Sequence, residues 1–186
     1  MRIIAGEFKS RIIVTTHSAV TRPTTDRARE SLFNVLNNLI SFDDSHVLDL
    51  FAGSGALGFE ALSRGAKRAT FVERDKKAVE AIKANSSELE VTPIVEIVAV
   101  DVYTYIAIAR PSPRRFDIIF ADAPYDSIRA LDQLALLIVN SELLAPDGLC
   151  AIEHRTGDSL VLPKEAKIIR ELKAGEASFT IFNRKK

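Results

Sequence analysis

The sequence of 186 residues has little cysteine and no long apolar run, and both absences limit what the protein can be. A single thiol, Cys150, excludes an internal disulfide framework and a zinc site built from several thiolates, and we expect no metal site. Cys150 stands in the apolar stretch Leu149–Ile152, so we expect it in the core. No stretch approaches the roughly 18 consecutive apolar residues of a membrane helix, and the N-terminus lacks the apolar segment of a secretory signal. We therefore expect a cytoplasmic protein that does not associate with a membrane.

Net charge is also absent, because 25 basic and 25 acidic side chains give a formal charge of zero. The charges are unevenly placed: residues 1–29 carry six basic and two acidic side chains, whereas residues 30–109 carry seven and twelve. A basic first segment beside an acidic middle is consistent with an acidic cofactor site flanked by a phosphate-facing arm. An unevenly charged, solvated surface is equally consistent with it. The candidate phosphate contacts of the first segment are Arg2, Lys9, Arg11, Arg22 and Arg27.

The length fits one domain with a small N-terminal appendage. Two short strands over Arg2–Ala5 and Arg11–Thr15 predict a β-hairpin within residues 1–20, and residues 21–186 are expected to form the main domain. Pro23-Thr24-Thr25-Asp26 is a helix-start signal, because it offers a proline near the first turn, a hydroxyl cap and an early carboxylate.

From His46 onward, strands and helices alternate along the chain. The pattern predicts strands over His46–Leu50, Arg68–Glu73, Ile94–Val100, Phe116–Ala121, Leu149–Glu153, Ala166–Leu172 and Ser178–Asn183. It predicts helices over Ala56–Ser63, Asp75–Leu89, Val102–Ala109 and Ser127–Val139, with a turn at Pro146-Asp147-Gly148 before the fifth strand. This alternation predicts an α/β fold, a mostly parallel sheet covered by helices on both faces. Ligands of such sheets bind beyond the carboxyl ends of the strands, where the strand order reverses.

A glycine-rich loop follows the strand at His46–Leu50 and opens the next helix. Gly53-Ser54-Gly55-Ala56-Leu57-Gly58 matches the G-x-G-x-x-G pattern, and Glu73 follows 20 residues after Gly53, at the end of the next strand. Glycine permits a tight turn and a close approach of backbone to ligand, and the carboxylate can accept both ribose hydroxyl protons. Together these features predict a nucleoside ligand, whereas the glycine pattern alone would also fit a strand–helix turn made for packing.

Two further carboxylates indicate which nucleoside is bound. Asp49 precedes the glycine loop, and a negative side chain there is poorly matched to the pyrophosphate of a dinucleotide. It is well matched to S-adenosylmethionine, which carries an amine and a sulfonium. Asp101, after the third strand, can accept from an adenine amino group, cap the following helix, or do both. A small nicotinamide-dependent oxidoreductase is the alternative, because the same glycine pattern serves that cofactor.

The most informative stretch is the strand at Phe116–Ala121 with the turn Asp122-Ala123-Pro124-Tyr125 after it. It suits methyl transfer to the exocyclic amino nitrogen of a flipped base, a poor nucleophile because its lone pair is delocalised into the ring. Asp122 and the backbone carbonyl of Ala123 can accept the amino hydrogens and turn the lone pair toward the methyl carbon. Asp122 can also take the proton, and Tyr125 can stack on the base. A strand-end turn with a helix-capping Asp and a packed Tyr would give the same residues.

Three blocks, Thr21–Asn34, Val47–Gly58 and Asp122–Tyr125, carry a resemblance to a known family, and Met1–Gly6 and Glu60–Ala66 support it. The sequence resembles the bacterial 16S ribosomal RNA guanine-N2 methyltransferases. This resemblance implies a Rossmann-like class I methyltransferase fold, S-adenosylmethionine as cofactor, and 16S ribosomal RNA, within a small-subunit particle, as substrate. It implies cofactor contacts from Asp49, Phe51, Gly53, Ser54, Gly55, Gly58, Glu73, Arg74, Asp101, Val102 and Asp122. It also implies a catalytic Asp122-Ala123-Pro124-Tyr125 turn, with Arg22 and Thr24 near the methionine end of the cofactor or the RNA.

The sequence departs from this family in two places. The family's Asp-Pro-Pro-Tyr is Asp-Ala-Pro-Tyr here; Ala123 still precedes a proline, so its carbonyl should point much as before, while Asp122 is restrained less. The C-terminal residues Gly175–Phe179 fit the family's closing strand only loosely. A non-catalytic RNA-binding module therefore stays an alternative, as does adenine-N6 methylation, because this type of motif serves both amines. Zero net charge and the lack of an obvious exposed apolar stripe predict a monomer.

Overall fold

The structure, a computed structural model, describes residues 1–15, 25–109, 115–123 and 128–185. Its helices are α1 (Asp26–Leu36), α2 (Ala56–Ser63), α3 (Lys76–Glu88), α4 (Val102–Ala109) and α5 (Ile128–Ser141). Its strands are β1 (His46–Leu50), β2 (Arg68–Val72), β3 (Val95–Val98), β4 (Phe116–Ala121), β5 (Leu144–Arg155), β6 (Ala166–Ala174) and β7 (Ala177–Arg184). A 3-10 turn over Thr92–Ile94 precedes β3.

The strands form one sheet in the order β3-β2-β1-β4-β5-β7-β6. Strands β1 to β5 run parallel, and β7 is antiparallel to both β5 and β6. The strand order reverses at β1, where Leu50 pairs with Val72 of β2 on one side and with Ala121 of β4 on the other. The loops after these three strands therefore leave the carboxyl edge of the sheet side by side, where a ligand site is expected. The prediction of a mostly parallel α/β fold is confirmed.

Alternation along the strands divides the core into two layers. Val47 and Phe120 cluster with side chains of α1, α2 and α3, whereas Leu48 and Ile119 cluster with side chains of α4 and α5. Cys150 is buried in the second layer, as expected, and burial raises the pKa of its thiol. Because both faces of the sheet are covered, the loops at the carboxyl edge are the part of the parallel sheet that is free to hold a ligand.

The N-terminal segment, residues 1–15, corrects one prediction. The segment folds back on itself antiparallel, as a hairpin does: Arg2 bridges Ile12, and the N–H groups of Ile3 and Ile13 donate to the carbonyls of Arg11 and Met1 at 2.9 and 3.0 Å. The two full strands predicted within it do not form. The backbone also bonds to side chains of α2: the N–H groups of Ile4 and Ala5 donate to the Glu60 carboxylate at 2.7 and 3.1 Å. Helix α2 thus supplies acceptors in addition to those within the segment, and the segment lies fixed against it.

The apolar side chains of the N-terminal segment complete this attachment. Ile3 and Ile13 are both buried in the core layer that contains α1 and α2. Gly6, at φ +83°, turns the chain so close to α2 that a Cβ there would lie 1.8 Å from the Ser63 carbonyl oxygen. Only glycine can occupy this point without moving the segment away from α2.

Strand β5 begins earlier than the sequence predicts. The turn expected at Pro146-Asp147-Gly148 lies inside the strand, where the register with β4 jumps from Phe116–Leu144 to Ile118–Leu149. The extra residues on β5 form a bulge, so the strand continues through a sequence that looks like a turn. The other predicted elements end within a few residues of those observed.

The longest helix of the described ranges, α5, has 14 residues, fewer than the roughly 20 that span a bilayer. None of the helices in those ranges combines the length and apolar character that a membrane crossing requires.

Candidate functional site

Asp49, on β1, is bonded to the helix that the glycine loop opens. Its Oδ2 accepts a hydrogen bond from the backbone N–H of Gly58 at 2.9 Å, and Gly58 is the third residue of α2. The residue before α2, Gly55, has no side chain and makes no capping bond. Asp49 therefore supplies, from the neighbouring strand, the acceptor that a Ser or Asp cap normally gives to the first turn of a helix.

The same carboxyl group is in an unfavourable electrostatic environment. Asp49 is only 1% exposed, and burial raises its pKa well above the usual value, against the opposing effect of the Gly58 hydrogen bond. The nearby charges of Asp122 and Glu73 raise this pKa further. Within the described ranges, no group of three or more acidic, His or Cys side chains is placed to hold a metal ion. A cationic ligand at this edge would offset the repulsion, whereas an anionic one would increase it.

The glycines of the loop are required for two different reasons. Gly53 has φ +54°, and a Cβ added there would meet no protein atom within 4 Å, so this part of the loop borders open space. A Cβ on Gly58 would lie 2.3 Å from the Phe71 ring, so that glycine allows α2 to pack on β2. Gly55, also at positive φ, would place a Cβ 2.6 Å from the Phe59 ring. The pattern therefore combines one position open to a ligand with two that serve packing.

Glu73 fixes the loop to the end of β2. Its Oε2 accepts from the N–H of Gly53 at 2.9 Å, and its Oε1 accepts from the N–H of Asp75 at 2.8 Å. Each carboxylate oxygen can accept a second hydrogen bond, so a contact with ribose hydroxyls is compatible with this role. That contact stays a prediction, and the structure adds that Glu73 holds the loop whose shape any ligand would meet.

Asp101, Arg74 and Val102 lie together at the end of β3. Asp101 Oδ1 accepts from the N–H of Tyr103 at 2.9 Å, which is the expected cap on α4. Its Oδ2 lies 3.4 Å from Arg74 Nη1, and Val102 is buried next to Asp101. Both charged side chains remain partly exposed, so the predicted contact with the adenine of a cofactor is sterically possible and stays a prediction.

An aromatic pair beside Asp101 was only half predicted. Phe51 has φ +59°, unusual for a bulky residue, and its ring meets that of Tyr103 edge-to-face with centroids 6.5 Å apart. Tyr103 is 42% exposed although it is aromatic. The family resemblance implied a cofactor contact for Phe51, but nothing in the sequence singled out Tyr103, because its partner is 52 positions earlier.

Asp122 and Ala123 emerge from β4 next to this group. Ala121 is paired with Leu50, and Asp122 follows it, half-buried and close enough to Asp49 to affect its pKa. Ala123 is buried. The structure therefore places the predicted catalytic carboxylate beside the predicted cofactor loop, which includes Ser54.

Four residues that the resemblance singles out lie outside the described residues. They are Arg22 and Thr24 of the first motif block and Pro124 and Tyr125 of the catalytic turn. The roles predicted for them stay predictions.

The basic residues of the N-terminal region differ in their availability to phosphates. Lys9 and Arg27 are exposed. Arg2 lies 3.7 Å from Asp26, and Arg11 lies 3.6 Å from Glu88, both pairs being partly exposed. These four basic residues remain predicted phosphate contacts.

Arg29, which contributed to the basic count of the first segment, is only 1% exposed. Its Nη2 donates to the carbonyl of Arg2 at 2.6 Å and to Asp26 at 3.0 Å, and burial lowers its pKa while Asp26 and Glu60 raise it. Arg29 therefore holds the N-terminal segment to α1 and is not placed to meet RNA. Its position shortly before the apolar pair Leu32-Phe33 gave no signal of this burial in the sequence.

This chain is similar to known proteins in both sequence and structure. The profile of the family described as conserved hypothetical protein 95 matches residues 1–183. Ribosomal RNA small subunit methyltransferase D of Haemophilus influenzae is 35% identical over 183 residues, which cover 98% of this chain and 93% of the relative. The protein of the same name from Escherichia coli is 34% identical over 185 residues, which cover 99% and 90%.

Solved structures agree with these matches. The Escherichia coli protein yhhF, described as a methyltransferase candidate, has a TM-score of 0.84 and 29% identity over 100% of this chain and 98% of its own. A hypothetical protein of Thermus thermophilus has a TM-score of 0.83 and 30% identity, covering 97% and 98%. A more distant methyltransferase candidate complexed with SAH has a TM-score of 0.67 at 19% identity, covering 82% and 49%, and shares the fold alone. The chain thus has the Rossmann-like methyltransferase fold.

Proposed function

We propose, from the fact that this chain belongs to the conserved hypothetical protein 95 family, that it methylates ribosomal RNA of the small subunit with S-adenosylmethionine as donor. The relatives named ribosomal RNA small subunit methyltransferase D align along nearly its whole length. The finer part of the proposal is the acceptor, the exocyclic N2 amine of a guanine in 16S RNA within a small-subunit particle. We expect a cytoplasmic monomer in which residues 1–20 form an arm on a catalytic domain of residues 21–186.

The carboxyl edge of the sheet fits this cofactor. When bound, S-adenosylmethionine supplies an electrophilic methyl carbon on a positively charged sulfur. The charges of Glu73 and Asp122 lie beside the buried Asp49 and make this edge acidic, and a Cβ on Gly53 would meet open space. Asp101 and the Phe51–Tyr103 pair offer an acceptor and an aromatic surface for a nucleoside base. The structural neighbour complexed with SAH supports the same choice of cofactor.

The observation that carries the proposal is the position of Asp122. Asp122 follows Ala121, which pairs with Leu50 on β1, and the charge of Asp122 raises the pKa of Asp49. A group held there lies beside the loop that would hold S-adenosylmethionine, so it can position a nucleophile next to the cofactor.

Asp122 and the carbonyl of Ala123 can each accept one hydrogen of the amino group, which turns the nitrogen lone pair toward the methyl carbon. With S-adenosylmethionine bound, transfer would form the nitrogen–carbon bond as the sulfur–methyl bond breaks, S-adenosylhomocysteine would leave, and the amino group would become acidic. Asp122 then accepts its proton. Positioning and electrostatics account for the rate enhancement in this scheme, because the methyl group passes directly from sulfur to nitrogen.

The basic side chains of the N-terminal region complete the proposal. Arg2, Lys9, Arg11 and Arg27 are exposed or partly exposed, and they would contact phosphates of the RNA. Binding carried by such contacts weakens steeply as the salt concentration rises.

The deciding experiment identifies the methylated nucleoside. Small subunits that lack the modification are incubated with the protein and S-adenosylmethionine carrying a labelled methyl group, and the RNA is digested for mass spectrometry. Labelled N2-methylguanosine is expected. N6-methyladenosine would replace the guanine assignment, and no incorporation at all would overturn the proposal.

Asp122→Asn tests the assigned residue in the same assay. We expect the rate to fall about 10²- to 10⁴-fold, because the proton acceptor is lost. Asp117→Asn is the matched control: Asp117 lies on the same strand but at its other end, where it accepts from the His46 N–H at 2.8 Å. Equal rates for the two variants would contradict the role given to Asp122.

A further inference from the structure

Asn85, on α3, connects two parts of the chain that the proposed reaction uses. Its Oδ1 accepts from the N–H of Val14 at 2.7 Å, and its Nδ2 donates to the Val14 carbonyl at 3.0 Å. The same Nδ2 donates to the carbonyl of Ser54, also at 3.0 Å. The side chain is only 2% exposed. One buried amide therefore binds both the N-terminal segment and the middle of the glycine loop.

The bonds to Val14 continue the attachment of the N-terminal segment beyond the Arg2–Ile12 bridge. The Val14 side chain is 58% exposed, so the backbone and not an apolar contact holds this residue in place. One turn further along α3, the guanidinium of Arg11 donates to the carbonyl of Glu88. Polar contacts thus hold residues 11–14 against α3, and Asn85, which makes two of these contacts, also binds the glycine loop.

The bond to Ser54 adds a side-chain restraint to a loop that backbone bonds and Glu73 also hold. Ser54 stands between Gly53 and Gly55, which both have positive φ. Glycine has no side chain, so neither neighbour can restrain the loop through a side-chain contact. Glu73 holds the N–H of Gly53, and Asn85 holds the carbonyl of Ser54. A shift of the Asn85 side chain therefore changes the hydrogen bond that holds the Ser54 carbonyl in the loop.

We propose that Asn85 is a positioning residue that couples the N-terminal segment to the cofactor loop, so that binding of S-adenosylmethionine and binding of RNA strengthen each other. The inference rests on the proposed function, because it takes the loop as the cofactor site and the N-terminal segment as an RNA contact. A ligand that orders the loop also fixes Asn85 and hence Val14. By thermodynamic reciprocity, RNA that orders the segment raises the affinity for the cofactor by the same factor.

Ser63 provides a matched control within the same segment. Its hydroxyl accepts from the N–H of Phe8 at 2.9 Å and donates to the carbonyl of Ala5 at 2.5 Å. It therefore holds the N-terminal segment by two backbone bonds, as Asn85 does, but these bonds do not reach the glycine loop. Ser63→Ala loosens the attachment of the segment without touching the loop.

The test is a calorimetric titration of S-adenosylmethionine into the wild-type protein, Asn85→Ala and Ser63→Ala. Asn85→Ala leaves the Ser54 carbonyl without this partner, and we expect the cofactor Kd to rise about tenfold. Ser63→Ala should keep the wild-type Kd within about twofold. An unchanged Kd for Asn85→Ala, or an equal loss in Ser63→Ala, would overturn the coupling. If the wild-type protein itself does not bind S-adenosylmethionine, the proposed function fails and the inference fails with it.

A second measurement uses the wild-type protein and so does not depend on how Asn85→Ala folds. Hydrogen exchange of the Val14 amide is followed by NMR with and without saturating S-adenosylmethionine. The coupling predicts slower exchange in the presence of the cofactor, because the N–H of Val14 is bonded to Asn85. Exchange at Val14 that does not respond to a cofactor shown to be bound would refute it.

Discussion

Asp49→Asn separates the two roles that the structure gives to this carboxyl group. Asparagine has nearly the same shape and keeps an oxygen that can accept from the Gly58 N–H, but it carries no charge. If Asp49 served only as a helix cap, the substitution would slightly lower the free energy of unfolding. If its buried charge is the dominant feature, the variant should be more stable than the wild type at high pH.

The sign follows from the pKa of Asp49, which burial, and to a smaller extent Asp122 and Glu73, raise well above its usual value. Between about pH 4 and this folded-state pKa, the folded protein keeps a proton that the unfolded chain releases. The free energy of unfolding of the wild type therefore falls as pH rises through this window, by at most about 1.4 kcal/mol per pH unit. The variant lacks this titration.

The hydrogen bond opposes this gain. A bond from Gly58 to a neutral amide is weaker than one to a carboxylate by about 1 kcal/mol. Burial affects the pKa of Asp49 more than the Gly58 bond does, so the loss of buried charge should exceed the loss of bond strength. We expect Asp49→Asn to be more stable than the wild type at pH 8, with the difference decreasing toward pH 4.

Urea unfolding at several pH values between about 4.5 and 8.5 measures this difference. Asp117→Asn is again the control, because Asp117 also accepts a backbone N–H but is partly exposed at the opposite edge of the sheet. A difference that does not change with pH, or a variant less stable than the wild type at pH 8, would refute the argument. The variant should also lose more affinity for S-adenosylmethionine than for S-adenosylhomocysteine, because only the former carries the sulfonium charge.

The remaining predictions concern the loop glycines and the catalytic turn. Gly53→Ala should cost about 1–2 kcal/mol of stability through its positive φ and weaken cofactor binding, whereas Gly58→Ala, whose Cβ would lie 2.3 Å from the Phe71 ring, should cost about 1–3 kcal/mol in urea unfolding. If Gly53→Ala bound the cofactor as tightly as the wild type, the assignment of the glycine loop to the cofactor site would be wrong. Ala123→Pro should add about 0.4–1 kcal/mol of stability and raise turnover by restraining Asp122. Lower stability together with lower turnover would contradict that reading of the turn.

The sequence predicted those elements whose boundaries are set locally. Strands β1 and β4 and helices α2 and α4 have the expected limits, because a charged residue or a glycine closely follows each apolar run. The bulge in β5 was missed, since Pro146-Asp147-Gly148 has turn chemistry and only the pairing with β4 carries the strand through it.

The N-terminal segment was predicted less well for a different reason. Its alternating residues suggested strands, but four of its backbone N–H groups donate to side chains of Glu60, Ser63 and Asn85, which lie 55 to 71 positions away in sequence. Such contacts leave no periodic signal. The burial of Arg29 was missed in the same way, because a basic residue in a basic segment is expected to be exposed.

The acidic residues of the site show why the sequence alone could not decide between S-adenosylmethionine and a nicotinamide cofactor. A carboxylate at the end of β1 or β2 fits both a ligand contact and a bond to the loop, and only the structure shows that Asp49 and Glu73 accept from the N–H groups of Gly58 and Gly53. Those N–H groups belong to the loop and first turn that hold the pyrophosphate in a dinucleotide site. Here both already donate to protein carboxylates, and the charge they face is negative. A pyrophosphate would have to displace these bonds and approach three acidic side chains, whereas a sulfonium requires neither, which favours a methyl donor over a nicotinamide cofactor.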